Sequence, residues 1–542
     1  MKKYIFVLIS CFTIIFWSSC RKDFDSEPST GNLEFSTDTL VLDTIFSNIS
    51  SSTYQFKVYN RTGDDFTIPR ITLRNGEASN YRLNVDGIAG TSFNDIQILA
   101  KDSIFIFVET TTDITQQSSE TEFLYTDQIL FDPDGNQQDV DLVTLIKDAV
   151  FLFPSRDNMT GETETLLLGL DENEDEIRIE GFFLDDDELT FTNEKPYVIY
   201  GFAAIPPEKT LTIEAGTRIH FHENSGLIAA NMASLQVNGE VSTDPLLQEN
   251  EVIFEGDRLE PEFSEIPGQW GFIWLTAGST NHKINHATIK NGTVGILMAS
   301  NDGGTDPTLE ITNTQIYNQS NVGLLMRTGN VRGENVVINN AGQVAVSCSL
   351  GGIYNFEHCT FANYWQNGSQ REFPSVLIDN NILVNPNTDE ATLVIADLVE
   401  ANFTNCIING NRQQEIGFNK TDQAAFNFNF KNCLIQYTPP STEPENPELY
   451  DFTDTALYRD IILNEDADYR RNLDRFTDDD TDLDLRRKSQ NFLNIGEESA
   501  ADGKATAPGM GVDITGKTRD MNAPDIGAYE SVMFRDREED GN

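Results

Sequence analysis

Hydrophobic positions along the chain follow two different rules. From residue 33 to about 153, apolar and polar residues alternate in short runs: "LEFSTDTLVLDTIF", "TYQFKVYN", "FTIPRITLR", "YRLNVDG", "IQILAKDSIFIFVETT", "QILF" and "DVDLVTLIKDAVF". Period-two alternation marks strands with one buried face. Gly, Asn and Asp break the runs, as in "NRTGDD" and "DPDGNQQ". Short strands at this spacing predict an antiparallel β-sandwich over 33–153.

Further along, one phrase recurs. "NFTNCIING" (Asn402 to Gly410) and "NFKNCLIQ" (Asn429 to Gln436) are two of its seven versions. Alignment on one residue puts His286, Asn313, Asn335, His358, Asn380, Asn405 and Asn432 in a column, at intervals of 22 to 27 residues. Two residues earlier stand Ile284, Ile311, Gly333, Phe356, Ile378, Phe403 and Phe430. Three residues later stand Ile289, Ile316, Ile338, Phe361, Leu383, Ile408 and Ile435. The residues just after the column, among them Cys359, Asn381, Cys406 and Cys433, share the inward face. Inward positions at −2, +1 and +3 change parity across the column. A single residue in the left-handed region supplies that change, and Asn and His enter it more readily than most. The column therefore predicts a structural bend ladder, its side chains stacked at the strand spacing of about 4.8 Å.

A second corner follows in "KNGTVGILM", "NQSNVGLLM" and "NNAGQVAV". Several short strands per repeat, with no helical stripe and no leucine-rich register, predict a right-handed parallel β-helix. The fold class is thus all-β: an N-terminal β-sandwich followed by a right-handed parallel β-helix (solenoid) over 196–531. Residues 154–195 are expected to connect the two and cap the first coil. An acidic excursion at about 437–505, with a helical "DADYRRNLDRF", is expected to pack on the flank before "PDIGAYES" closes the last coil. Residues 532–542 read as a disordered charged tail.

The N-terminus carries Lys2 and Lys3, an apolar run Tyr4 to Trp17, and then Ser18, Ser19 and Cys20. That run is too short for an ordinary spanning helix. It reads as a signal peptide over 1–19, with Cys20 opening a linker to residue 32. Small residues before Cys resemble a bacterial lipobox of the Bacteroidetes, with Trp17 departing from the usual aliphatic residue. "CRKDFDSE" resembles that phylum's surface-export signal. "NVDG" and "DSIFIFV" resemble its immunoglobulin-like modules. "LTIEAGT", "IHFH", "LQVNGE", "PGQWGFIWL" and "PDIGAYES" resemble its β-helix lipoproteins. The resemblance implies lipidation at Cys20 and an outer-membrane lipoprotein facing the cell exterior.

A formal net charge of −50 argues against nucleic-acid partners, which need a basic face. Asp478, Asp480 and Asp482 alternate in "DDDTDLD" and form a candidate calcium site; no other cofactor is indicated. Four cysteines beyond the signal and Cys20 are too few for a disulfide framework and read as buried thiols. His220 and His222 fall on one strand face without a third metal ligand. Lys283, Lys290, Arg327, Arg332, Asp302 and Asp306 read as solvated charge. Trp270, Trp274, Tyr317, Tyr354, Tyr364 and Trp365 are aromatic candidates for stacking on sugars. The expected role is binding or structural, presenting a rigid acidic surface to polysaccharide or other surface partners. The alternative is a polysaccharide lyase or glycoside hydrolase on the β-helix flank.

Overall fold

A computed structural model describes residues 27–28, 33–116, 120–170, 174–244, 247–368, 370–385, 391–442, 444–470, 491–506 and 509–533. The chain divides into two compact units, one ending at Asp148 and one beginning at Ala149. The fold is all-β: among the described residues, strands are joined by loops and short 3-10 turns, with no α-helix.

In the first unit a six-stranded and a five-stranded sheet contribute to one core that includes Leu42, Val58, Ile71, Val108, Ile129 and Leu142. Alternation puts these residues on the inner faces; Gln138–Lys147, for example, alternates half-buried and buried along nearly its whole length. In "NVDG", Asp86 and Gly87 take φ of 51° and 81°, as a two-residue hairpin turn of primed type requires. Not all pairings are antiparallel: Thr39–Phe46 runs parallel to Gln138–Lys147. A strand early in the chain and one late in it can lie parallel because everything between them serves as the crossover.

The second unit is built from long parallel sheets. An eleven-stranded sheet begins at Val150–Leu152 and ends at Ile462–Leu463, and every pairing in it is parallel. An eighteen-stranded sheet holds two more parallel ladders. One stacks Phe202–Ile205, Gly226–Ala229, Ile273–Leu275 and Val294–Met298. The other stacks Thr210–Glu214, Ser234–Asn238, His282–Asn285 and Leu309–Thr312. The long strand Val322–Glu334 serves both. Each pass of the chain adds a strand to each ladder. The sheet starts with an antiparallel hairpin, Thr165–Leu170 on Glu176–Phe183, and Thr165–Leu170 is its terminal strand.

Inward residues of all three ladders form one continuous core. Like stacks on like: Phe403 and Phe430 have ring centroids 4.8 Å apart and planes 9° from parallel. Gly333 interrupts a column of bulky residues because the ring of Phe356 occupies its place; a Cβ there would stand 2.5 Å from Cδ1 of Phe356.

His286, Asn313, Asn335, His358, Asn405 and Asn432 all have positive φ, between 45° and 54°. Asn380 departs from the column assigned to it. It is absent from the positive-φ residues. It links Val376–Asp379 to Asn381–Val384, and the latter leaves the stack as a hairpin with Thr392–Ile395. Leu383, at the supposed inward position, is 53% exposed. Thr360–Asn363 therefore pairs directly with Ile407–Gly410, so Cys359 and Cys406 are neighbours, not two repeats apart. Asn380 instead fastens a neighbouring loop. It is buried, its Nδ2 donates to the carbonyl of Thr421, and its Oδ1 accepts from the Thr421 amide.

The last repeat lies where the sequence suggested an excursion. Tyr458–Arg459 and Ile462–Leu463 extend two ladders, with Asp460 at φ 54° between them. "PDIGAYES" does not close a coil. Ile526, Ala528 and Tyr529 pack lengthwise on Val337, Ala362, Ile407 and Leu434, the apolar outer row of the eleven-stranded sheet. The stretch Asp466–Arg470 is not helical; the remainder of "DADYRRNLDRF" lies outside the described residues.

Candidate functional site

The C-terminal segment bonds to the bend column at Asn335, Asn405 and Asn432. Asn313 Oδ1 accepts from Asn335 Nδ2 at 2.9 Å, and Asn313 in turn donates to Asn285 at 3.0 Å. Asn335 Oδ1 accepts from Arg519 at 2.8 Å, and its Nδ2 donates to the carbonyl of Val512. Asn405 Oδ1 accepts from the amide of Thr506, and its Nδ2 meets Nε2 of His358 at 2.9 Å. Asn432 donates to the carbonyl of Lys504. Burial, and then the charge of Arg519, hold His358 down at about 3. These bonds engage Asn313, Asn335, Asn405 and Asn432 within the fold. Cys359, Cys406 and Cys433 are buried thiols donating to backbone carbonyls.

A second cluster lies on the outer face of the eleven-stranded sheet. His220, Glu255, Lys290 and Tyr317 come from successive strands. Lys290, expected on the surface, is buried, with Nζ 3.1 Å from Glu255, 3.6 Å from Glu265 and donating to the carbonyl of Ser264. Burial works against its charge, but Glu255, Tyr317 and Glu265 together outweigh it and hold the ammonium above its ordinary range. Burial depresses His220, so it is neutral and its 3.7 Å approach to Glu255 is not an ion pair. The cluster ties the loop bearing Ser264 and Glu265 to the sheet. Trp270 belongs to the same packing: it is buried, and its Nε1 donates to the carbonyl of Lys290.

The two histidines of "IHFH" separate. His222 is exposed, with Nδ1 2.7 Å from Oδ2 of Asp257 and its ring beside Tyr200. Among the described residues no group of three or more His, Cys, Asp and Glu could hold a metal. Asp478, Asp480 and Asp482, and also Cys20, lie outside the described residues.

One exposed arrangement spans the second unit. Gln236, Lys283, Glu310, Arg332, Asn355, Asn402 and Asn429 stand in register on successive parallel strands. All point outward and all are half-buried or exposed. The row is internally braced: Lys283 lies 3.3 Å from Glu310, and Asn402 donates to Asn355 at 3.0 Å. Of its members the sequence reading singles out only Lys283 and Arg332, each as solvated charge. The signal was available, because the row stands three residues before each bend and is polar in six of the seven phrases. The remaining phrase has Leu377 there, and its second strand, Asn381–Val384, leaves the stack.

Beside this row lie two carboxylates on adjacent strands, Glu334 and Glu357. A Cβ on Gly509 would stand 2.9 Å from Oε2 of Glu357 and 3.1 Å from Oε1 of Glu334, so the oxygens are no farther apart than those distances together. Glu334 is 4% exposed; burial first, and Glu357 second, raise its pKa. Of the aromatic candidates, Tyr354 is buried and donates to the carbonyl of Gly351. Trp274 is half-buried beside Phe272, and among the described residues no aromatic side chain shares the register of the polar row.

No protein-family model matches the chain, and no curated protein matches it. Among solved structures, a protein of unknown function from Porphyromonas gingivalis W83 is 11% identical, over 21% of this chain and 45% of that one, with a TM-score of 0.16. The seventh PapD-like domain of human CEP192 is 9% identical, over 23% of this chain and 89% of that one, with a TM-score of 0.15. The catalytic unit of a GH87 α-1,3-glucanase from Streptomyces thermodiastaticus strain HF3-3 is 9% identical, over 71% and 80%, with a TM-score of 0.19. TM-scores of this size carry no argument about this chain.

Proposed function

We propose that this chain is a lipid-anchored protein of the bacterial outer surface that binds glycans along its exposed polar row. In this reading the second unit is a right-handed parallel β-helix and the first is an immunoglobulin-like β-sandwich that serves as a spacer. Three parallel ladders visited in fixed order support the β-helix, and the handedness follows the general rule for parallel crossovers. The lipid anchor rests on the resemblance around Cys20. Mass analysis of the mature N-terminus tests it: a diacylated or triacylated Cys20 supports the anchor, and an unmodified thiol or another start contradicts it.

The observation that carries the binding role is the in-register row from Gln236 to Asn429. Its members recur at about 4.8 Å, the strand spacing. Asn and Gln both donate and accept, which suits sugar hydroxyls. Side chains already braced by one another lose little freedom on binding. The row contains two cations and one anion on a protein of net charge −50, so neutral glycans suit it better than polyanions. Screening the purified protein on a glycan array, then repeating with Asn355→Ala/Asn402→Ala, tests the assignment.

A second reading, glycoside hydrolase, is favoured by Glu334 and Glu357. A buried carboxyl with a raised pKa close beside a second carboxyl is the arrangement that an acid and a nucleophile would need. The backbone at Gly509 lies over them, amide donating to Glu357 at 3.2 Å, so this reading requires that segment to move. Depolymerisation of a glycan by wild type, and not by Glu334→Gln, would establish it over simple binding.

A further inference from the structure

We infer that the free edge of Thr165–Leu170 is a docking site for an extended apolar segment with basic flanks, supplied by a partner protein. This strand terminates the eighteen-stranded sheet, and its sheet pairing is to Glu176–Phe183. Its other edge presents backbone amides and carbonyls, which is the template used when a peptide adds a strand to a sheet. Edges of this kind are ordinarily protected by Lys, Pro or inward-pointing charge. The sequence here is "TLLLGL", with none of these. Leu167 and Leu170 are 53% and 59% exposed, and Ile177 on the partner strand is exposed as well. The hairpin is nevertheless anchored: Leu166 is buried against Phe202, Ala204 and Ile228. A fixed apolar edge left open is a surface built for occupancy rather than a loose end.

Charge selects the occupant. The preceding segment turns back on Glu162 and Glu164, through bonds to Asp157 and Ser155, and among the described residues no strand other than Glu176–Phe183 pairs with Thr165–Leu170. Exposed acids stand at both ends: Glu162 and Glu164 before the strand, and Glu174 and Glu176, the latter ion-paired with Arg178 at 2.7 Å, at the start of its hairpin partner. A second copy of this chain would bring its own acids against these, in either strand direction, and like charges facing each other across strands oppose pairing. A segment with Lys or Arg on either side of an apolar run meets the edge with its core and the acids with its flanks.

The test uses the full-length protein and two labelled peptides, Lys-Lys-Val-Thr-Val-Thr-Val-Lys-Lys and the same core between Glu pairs, with fluorescence anisotropy as the readout. The basic-flanked peptide should bind at least about tenfold tighter than the acidic one, and should weaken as salt rises. Leu167→Lys/Leu170→Lys should reduce its binding by about tenfold or more, while Leu383→Lys/Leu393→Lys on the other exposed hairpin leaves it unchanged. Equal binding of both peptides, or no binding of either, overturns the proposal. So does a dimer in sedimentation that Leu167→Lys/Leu170→Lys abolishes, because the edge would then belong to a second copy.

Discussion

Arg519 donates a hydrogen bond to Oδ1 of Asn335, 184 residues earlier, at 2.8 Å, and is ion-paired to Glu530 at 2.9 Å. This contact joins the closing motif to the bend column. The segment "DIGAYES" thus packs on the eleven-stranded sheet without being a coil. Glu530 also accepts from the amide of Asp525, Asp525 accepts from the amides of Gly503 and Ser531, and Gly527 donates to the carbonyl of Asn405. The motif is a clasp, and its charged residues hold the strap against the sheet.

Removing the guanidinium should leave Glu530 buried and uncompensated. Arg519→Ala is expected to cost about 3–5 kcal/mol of unfolding free energy. A double-mutant cycle with Asn335→Ala should show a coupling of about 1–3 kcal/mol. Chemical denaturation followed by tryptophan fluorescence measures both. Additive effects would show that Arg519 and Asn335 do not act together.

Asn405 and Asn380 should respond differently to the same substitutions. At Asn405, with φ of 54°, Ala loses the hydrogen bonds and strains the backbone, whereas Gly loses only the hydrogen bonds. Asn405→Ala should therefore be less stable than Asn405→Gly by about 1 kcal/mol or more. At Asn380 the backbone is not left-handed, so Gly should gain nothing over Ala and should be worse by about 0.5–1 kcal/mol. Thermal unfolding of the four variants decides this.

His282 gives a pH dependence. Its Nδ1 accepts from the amide of Leu235 at 3.1 Å, and its Nε2 lies 3.0 Å from the hydroxyl of Ser279, so the ring is needed neutral. Burial lowers its pKa from 6.5 to about 4. The folded state thus binds the proton less well than the unfolded state. The stabilisation is fully present above pH 6.5 and is lost as pH falls through 4, in total about 3 kcal/mol. In His282→Asn the amide oxygen can accept from Leu235 without titrating. Urea unfolding at pH 7 and pH 4 should show the wild type losing about 3 kcal/mol more than the variant; equal losses would contradict the neutral assignment.

The parallel ladders were legible because their signal is local and repeated. Inward residues at −2, +1 and +3 mark a corner wherever the chain makes one, and six of the seven corners lie where that spacing puts them. The hairpin after Asn380 was not legible because "IDNNILV" has the same local pattern, and strand pairing, not composition, decides whether a strand joins the stack. Asp460 was overlooked because the column was confined to Asn and His. Asp also enters the left-handed region, and Tyr458, Ile461 and Leu463 satisfy the spacing around it. Lys290 was placed on the surface because a sequence does not show that the loop carrying Glu265 folds over it. The polar row was divided among charged and amide residues that share a position but not a chemistry.

Calorimetric titration with the best glycan found on an array tests the account most directly, comparing wild type with Asn355→Ala/Asn402→Ala. Neither change touches the core, so the variant should keep its unfolding temperature to within a few degrees. The account predicts glycan binding by the wild type, weakened about tenfold or more in the variant, as expected when two polar contacts are lost. Undiminished binding by the variant, or no glycan binding by the wild type, would contradict it.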